Sequence, residues 1–209
     1  MSIADVTVPE ALKIIDRTEL TEVRLDRIPF TAQDIDKLFS SVNQTVATYR
    51  PLESVTESER KSILIHAINA GASYVDIEVE NSDGFKNDII EAGKRKGCRI
   101  IMSYHNYIKT PVMRELEQIM KWCFECSVDI GKIACQVNSN DDCSRLLSLY
   151  SYDKPVISIG MGERGRITRI AAVLLGAPFT YASIDSSKKT APGQFEYEKI
   201  KAIIDMIRG

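Results

Sequence analysis

"VDIGKIACQV", residues 128–137, is apolar on both faces of the strand it implies, except that Lys132 sits in its middle. A strand covered on both sides belongs to the interior of a parallel sheet, where connecting helices pack against it. An ammonium withdrawn from water is costly unless it is paired or neutral, so a chain that keeps one there is expected to use it.

Similar β-branched runs recur along the chain, each followed by apolar residues at three- and four-residue spacing, the pattern of alternating strands and amphipathic helices. Eight such units can be counted: one strand around Ile3, then "TEVRLD", "QTVATYR", "YVDIEV", "RIIMSYH", "VDIGKIAC", "PVISIGM" and "TYASI". Between them lie helical stretches such as "TAQDIDKLFSSV", "SERKSILIHAINAG", "GFKNDIIEAGKRKG", "DDCSRLLSLYS" and "RITRIAAVLLGA", several ending in the glycine that favours a helix C-terminus. Strict alternation implies a parallel sheet with helices outside, and eight units point to closure as an α/β fold of the (β/α)8 TIM barrel type. An open doubly wound sheet is the alternative. The 209 residues are short for such a barrel and leave no length for a second ordinary domain, so 1–209 is expected to be a single catalytic barrel.

Charges nearly cancel, with 27 Lys plus Arg against 29 Asp plus Glu, so no overall field favours nucleic acid or an anionic membrane. The start, "MSIADVTVPEALKII", has no cationic segment leading into an apolar run, and no stretch approaches the ~20 apolar residues of a membrane span. A cytoplasmic protein is expected. Five cysteines show no disulfide spacing. Cys123 and Cys126 form a Cys-x-x-Cys inside an apparent helix, without the second ligand pair a zinc site needs.

Residues two apart on a strand share a face, so Glu22 points with Arg24, Asp76 with Glu78, and Ser103 with His105. Barrel interiors are usually filled by branched apolar side chains, with active sites at the C-terminal strand ends. Any one of these polar pairs could be a satisfied ion pair or a hydrogen-bonded surface histidine. Together with Arg50, Lys132, Ser183 and Asp185, however, they place polar groups near the ends of six strands of the eight, which chance does not readily produce. A lysine amine attacks a ketone only when neutral, and desolvation with nearby cations such as Arg24, Arg50 or Arg169 would lower its pKa. The iminium so formed acidifies the adjacent C–H, and a histidine such as His105 can remove that proton and return one to a leaving hydroxyl. Arginines grip carboxylates with a permanent fork. The substrate these groups suit is a small anionic ketone.

"ISIGMGERGRITRI" carries Gly160, Gly162 and Gly165 in the G-x-G-x-x-G spacing between strand and helix, with Asp185 twenty positions further on, as in a dinucleotide fingerprint. Its place near the C-terminus leaves too little sheet for a nucleotide-binding half, and Arg164 and Arg166 crowd the turn. An anion site at a helix N-terminus is the simpler reading.

Over essentially its whole length the chain resembles the type I 3-dehydroquinate dehydratases. The resemblance lies in "EVRLD" (Glu22, Arg24), "TYR" (Arg50), "IMSYHNYIKTP" (His105), "VDIGKIA" (Lys132), "ISIGMGERGRITR" (Met161, Arg169) and "TAPGQ" (Thr190, Gln194), in the family's order. It implies a (β/α)8 barrel, usually a homodimer, that dehydrates 3-dehydroquinate to 3-dehydroshikimate in the shikimate pathway through a lysine Schiff base, without metal or organic cofactor. Lys132 would form the Schiff base and His105 would act as acid and base. Arg169 would hold the substrate carboxylate, while Glu22, Arg24, Arg50, Thr190 and Gln194 would contact its hydroxyls and close over it. "TAPGQ" would belong to a mobile lid that excludes water.

The chain departs from the family pattern in three places. It begins almost at the first strand, so little or no N-terminal hairpin is expected beneath the barrel. "RPLESVTESER" replaces a Glu-Gly-Gly loop whose glutamate orients the histidine, and its nearest carboxylate, Glu53, falls about one position early. Thr190 stands where serine is commoner but keeps the hydroxyl. A class I aldolase, which also uses a barrel lysine, and a non-catalytic binding barrel are the competing readings.

Overall fold

The computed structural model describes all 209 residues, Met1 to Gly209. The chain divides into two compact units, Met1–Ile101 and Met102–Gly209, and strand and helix alternate in both.

The first unit runs β1 (Ser2–Ile3), α1 (Val8–Ile15), β2 (Leu20–Arg24), α2 (Ala32–Phe39), β3 (Gln44–Thr48), α3 (Glu57–Ala70), β4 (Tyr74–Glu78) and α4 (Asp83–Lys96), and ends in the first residues of β5 (Arg99–Asn106). Threonines at 7, 31 and 56 cap α1, α2 and α3, each in a reciprocal box with the acidic residue three positions on, which satisfies N–H groups a helix start leaves open. The strands pair in parallel and in chain order. Their register lines up Ile3, Val23, Ala47 and Val75 in one fully buried row. The next row holds Arg24, Thr48 and Asp76. Because side chains alternate along a strand, the apolar row and the polar row lie on opposite faces of the sheet.

The second unit takes up the end of β5 and continues with α5 (Met113–Cys123), β6 (Ile130–Gln136), α6 (Asn140–Ser148), β7 (Val156–Met161), α7 (Arg166–Leu174) and α8 (Tyr197–Arg208). The strands again follow chain order, and β6 and β7 pair in parallel with Lys132 opposite Ile157 and Gln136 opposite Met161. Ile133, Cys135 and Val137 pack with Leu116 and Met120 of α5 and with Cys143 and Leu146 of α6. Gly131 has the same orientation, since a Cβ there would lie 2.7 Å from the Phe124 ring. The odd-numbered positions of β6 therefore face the helices, and Lys132, Ala134 and Gln136 face the other way.

Seven strands of the expected eight form ladders. "TYASI" keeps a single bridge, Ser183 to Glu196. Its backbone partners come from the segment just before α8: Ser183 N–H donates to Phe195 O at 2.8 Å and Tyr197 N–H to Ser183 O at 2.9 Å. The helix expected to contain both Cys123 and Cys126 ends at Cys123, so Cys126 lies beyond it. No helix is long and apolar enough to cross a membrane.

Ile133 is wholly buried against α5 and α6. Ile133→Ala should lower unfolding stability by about 2–5 kcal/mol. Urea unfolding measures this, and a loss well under 1 kcal/mol would place that side chain outside the helix-packed layer.

Candidate active site

In the first unit the polar face is closely knit. Glu22 is buried and accepts hydrogen bonds from Thr48 Oγ1, at 3.0 Å, and from Ser2 Oγ. Arg24 does not pair mainly with Glu22, its neighbour on the strand face. It turns to Asp26, which takes Nε at 2.9 Å and Nη2 at 2.6 Å. Burial pulls the Arg24 pKa down, but the Asp26 hydrogen bonds and the Glu22 and Asp26 charges leave it raised. Arg50, just past β3, places Nη2 2.9 Å from Asp76 and Nη1 3.7 Å from Glu78. Burial opposes its charge too, yet the two carboxylates raise its pKa overall. Glu53 is exposed in the turn closed by the Leu52–Val55 bridge.

In the second unit Tyr104 packs on the helix side, so Ser103 and His105 emerge on the same face as Lys132. His105 is half-buried near the C-terminal end of β5, its ring within 13° of parallel to that of Tyr107 at 6.1 Å. Lys132 is only 4% exposed, and its Nζ stands 4.1 Å above the centre of the Tyr181 ring. An aromatic face is a favourable seat for a desolvated cation. The sequence reading missed Tyr181. The signal was its place two residues before Ser183, in a segment already read as strand.

Arg169 on α7 is 1% exposed. Its Nη2 donates to Pro192 O at 3.2 Å, while Nε and Nη1 are buried without hydrogen-bond partners. Burial lowers its pKa to about 10. Two unanswered N–H groups on a buried guanidinium leave it able to donate to a carboxylate or another small anion.

Pro192 belongs to the 190–194 segment, which Gln194 holds from within. Its Oε1 accepts the backbone N–H of Thr190 at 2.8 Å and of Ala191 at 3.2 Å, and its Nε2 donates to Thr190 Oγ1 at 2.9 Å. The segment rests on the end of β7: Gly162 N–H donates to Pro192 O at 3.3 Å, and a Cβ on Gly193 would lie 2.3 Å from Gly162 O. Gly193, with φ of +78°, supplies both the close approach and a backbone conformation other residues avoid.

The three glycines of the apparent fingerprint have other partners. Gly160 N–H donates to Thr168 Oγ1 at 2.7 Å, Gly162 N–H to Pro192 O, and Gly165 N–H to Gly162 O at 3.1 Å. Gly160 and Gly165 are small because β7 and the start of α7 touch there; a Cβ on Gly165 would lie 2.5 Å from the Gly160 carbonyl carbon. Asp185 accepts from Ser187 and from Lys188 N–H within its own loop.

The family model for type I 3-dehydroquinase matches residues 5–209. The chain belongs to the type I 3-dehydroquinase family. Curated relatives include the 3-dehydroquinate dehydratase of Methanococcus maripaludis strain C5, 34% identical over 99% of this chain and 95% of that one. That of Thermococcus gammatolerans is 31% identical over 91% of this chain and 89% of its own. Among solved structures, the type I 3-dehydroquinate dehydratase of Clostridium difficile superposes with a TM-score of 0.87 at 19% identity, covering 99% of this chain and 90% of that one. The 3-dehydroquinate dehydratase of Aquifex aeolicus gives 0.82 at 24% identity, over 99% and 98%. The α/β fold expected from eight repeated units is thus the fold of the type I dehydroquinases, a hydro-lyase family.

In this 3-dehydroquinase family member, Gln194→Ala should release the two amides its carboxamide holds. Hydrogen exchange at Thr190 and Ala191 should quicken roughly tenfold, the effect of losing about one buried hydrogen bond. Unchanged exchange would mean that other contacts hold the segment.

Proposed function

We propose that the whole chain, residues 1–209, acts as one catalytic domain that dehydrates 3-dehydroquinate to 3-dehydroshikimate through a Schiff base on Lys132. The observation that carries this reading is the placement of Lys132: a buried amine on the strand face turned away from the helices, with His105 on the same face. Such an amine is shielded from water and flanked by a group able to move protons.

In this reading the neutral Nζ adds to the substrate ketone carbon, and loss of water with uptake of one proton from solvent gives a protonated imine, the proton being released again when the final imine is hydrolysed to the free amine. That cation draws electrons from the neighbouring C–H bond. His105 removes the proton, leaving an enamine, and then returns it to the departing hydroxyl, which leaves as water. Hydrolysis of the remaining conjugated imine frees the enone and restores Lys132. The Tyr181 ring face seats Nζ, and Arg169 takes the substrate carboxylate through its open N–H groups. Glu22, Arg24 and Arg50 of the first unit are assigned to the substrate hydroxyls. Thr190 contributes a hydroxyl to the covering segment, and Gln194 contributes by shaping that segment. No metal or organic cofactor enters the scheme. Within it, the protein serves the shikimate pathway as a cytoplasmic homodimer.

The assay is growth of enone ultraviolet absorbance from 3-dehydroquinate. Carbon–carbon cleavage instead would favour a Schiff-base aldolase. Lys132→Ala should abolish turnover in folded protein, and borohydride with substrate should add the substrate skeleton to the Lys132 peptide of the unaltered chain. An unmodified peptide would leave a binding protein. His105→Ala should slow elimination by about 10²-fold or more, the scale of acid/base groups, and weaker binding alone would remove His105 from that role.

A further inference from the structure

Arg60 lies on α3, ten residues beyond Arg50 at the end of "RPLESVTESER", and is 5% exposed. Its guanidinium is held at several points. Nη1 stands 3.5 Å from Glu78 Oε2 and 3.4 Å from Tyr49 O, Nη2 stands 3.9 Å from Glu57 Oε1, and the group lies 4.7 Å from the centre of the Phe85 ring. Glu57 is itself tied to the start of α4, accepting from Ser82 N–H at 3.1 Å and from Ser82 Oγ at 2.7 Å.

Two of these contacts bear on Arg50. Tyr49 O belongs to the peptide that joins Tyr49 to Arg50. Glu78 is bridged, with Oε1 toward Arg50 Nη1 and Oε2 toward Arg60 Nη1. Arg50 alone would face two carboxylates, since Asp76 also binds it at 2.9 Å and is fully buried. Arg60 therefore sets a second cation against Glu78. Without it Glu78 loses a guanidinium that helps to hold it.

We propose that Arg60 is a positioning residue for substrate binding, which fixes Arg50 through Glu78 and the Tyr49 carbonyl. This rests on the reading that Arg50 binds the substrate. If Arg60 merely fastened α3 to α4, its loss would lower stability and leave the kinetics of the folded enzyme alone.

The experiment is steady-state enone kinetics on Arg60→Met, Arg60→Lys, Glu78→Gln and the Arg60→Met/Glu78→Gln double variant, with melting temperatures measured alongside. Arg60→Met should raise KM about tenfold and change kcat less than about threefold, the mark of lost binding rather than lost chemistry. Arg60→Lys should recover most of that loss. In the double variant KM should return to within about twofold of Glu78→Gln alone, because without the carboxylate the bridge through which Arg60 holds Arg50 is already gone. An Arg60→Met enzyme with wild-type KM and a lowered melting temperature overturns the proposal, as do losses that simply add. Should Arg60→Met not fold, Arg60→Gln replaces it in the same cycle with the same expectations. A wild-type protein that forms no enone overturns the dehydratase reading and this inference together, whereas an active wild type with additive losses overturns this inference alone.

Discussion

The alternation of side chains across a sheet covered by helices on one face is the constraint on which the rest depends. On β6 it sends Ile133 and Cys135 into the helices and Lys132 to the opposite face. In the first unit it separates the row of Ile3, Val23, Ala47 and Val75 from the row of Arg24, Thr48 and Asp76. Register makes this binding, for a slip of one residue would bring the charges against the helices and the aliphatic side chains out of them. Within each unit, the same packing that stabilises the fold therefore gathers polar groups on one face of the strands.

Burying charge requires compensation, and the chain meets that need in three ways. The first unit sets arginines against carboxylates, so Arg50 keeps its charge under deep burial. Lys132 has the face of Tyr181. Arg169 has one carbonyl and two unanswered N–H groups, and its pKa falls accordingly. The three environments differ: a charge set against carboxylates, an amine over an aromatic face, and a guanidinium with open N–H groups.

The C-terminal segment shows how one spacing can serve unrelated purposes. Gly160, Gly162 and Gly165 match a phosphate-binding fingerprint, yet each N–H is engaged within the protein. Small residues are required because β7 approaches α7 and because the 190–194 backbone lies on Gly162. Gln194 completes the arrangement by supplying from its side chain the acceptor that two successive backbone N–H groups need.

The sequence by itself determined the alternation of strand and helix, the parallel pairing, the face that Ser103 shares with His105, and the family. Each follows from local periodicity or from short motifs, which the chain carries without reference to distant residues. Only the tertiary structure decided that Arg24 turns to Asp26 rather than Glu22, that Tyr181 lies under Lys132, that Gln194 braces its own segment, and that Arg60 shares Glu78 with Arg50. It also decided that "TYASI" pairs with the segment before α8 through a single bridge. The physical reason is the same throughout: a long polar side chain, or an extended backbone, satisfies whichever partner packing brings within about 3–4 Å, and that choice is not written in the spacing of residues.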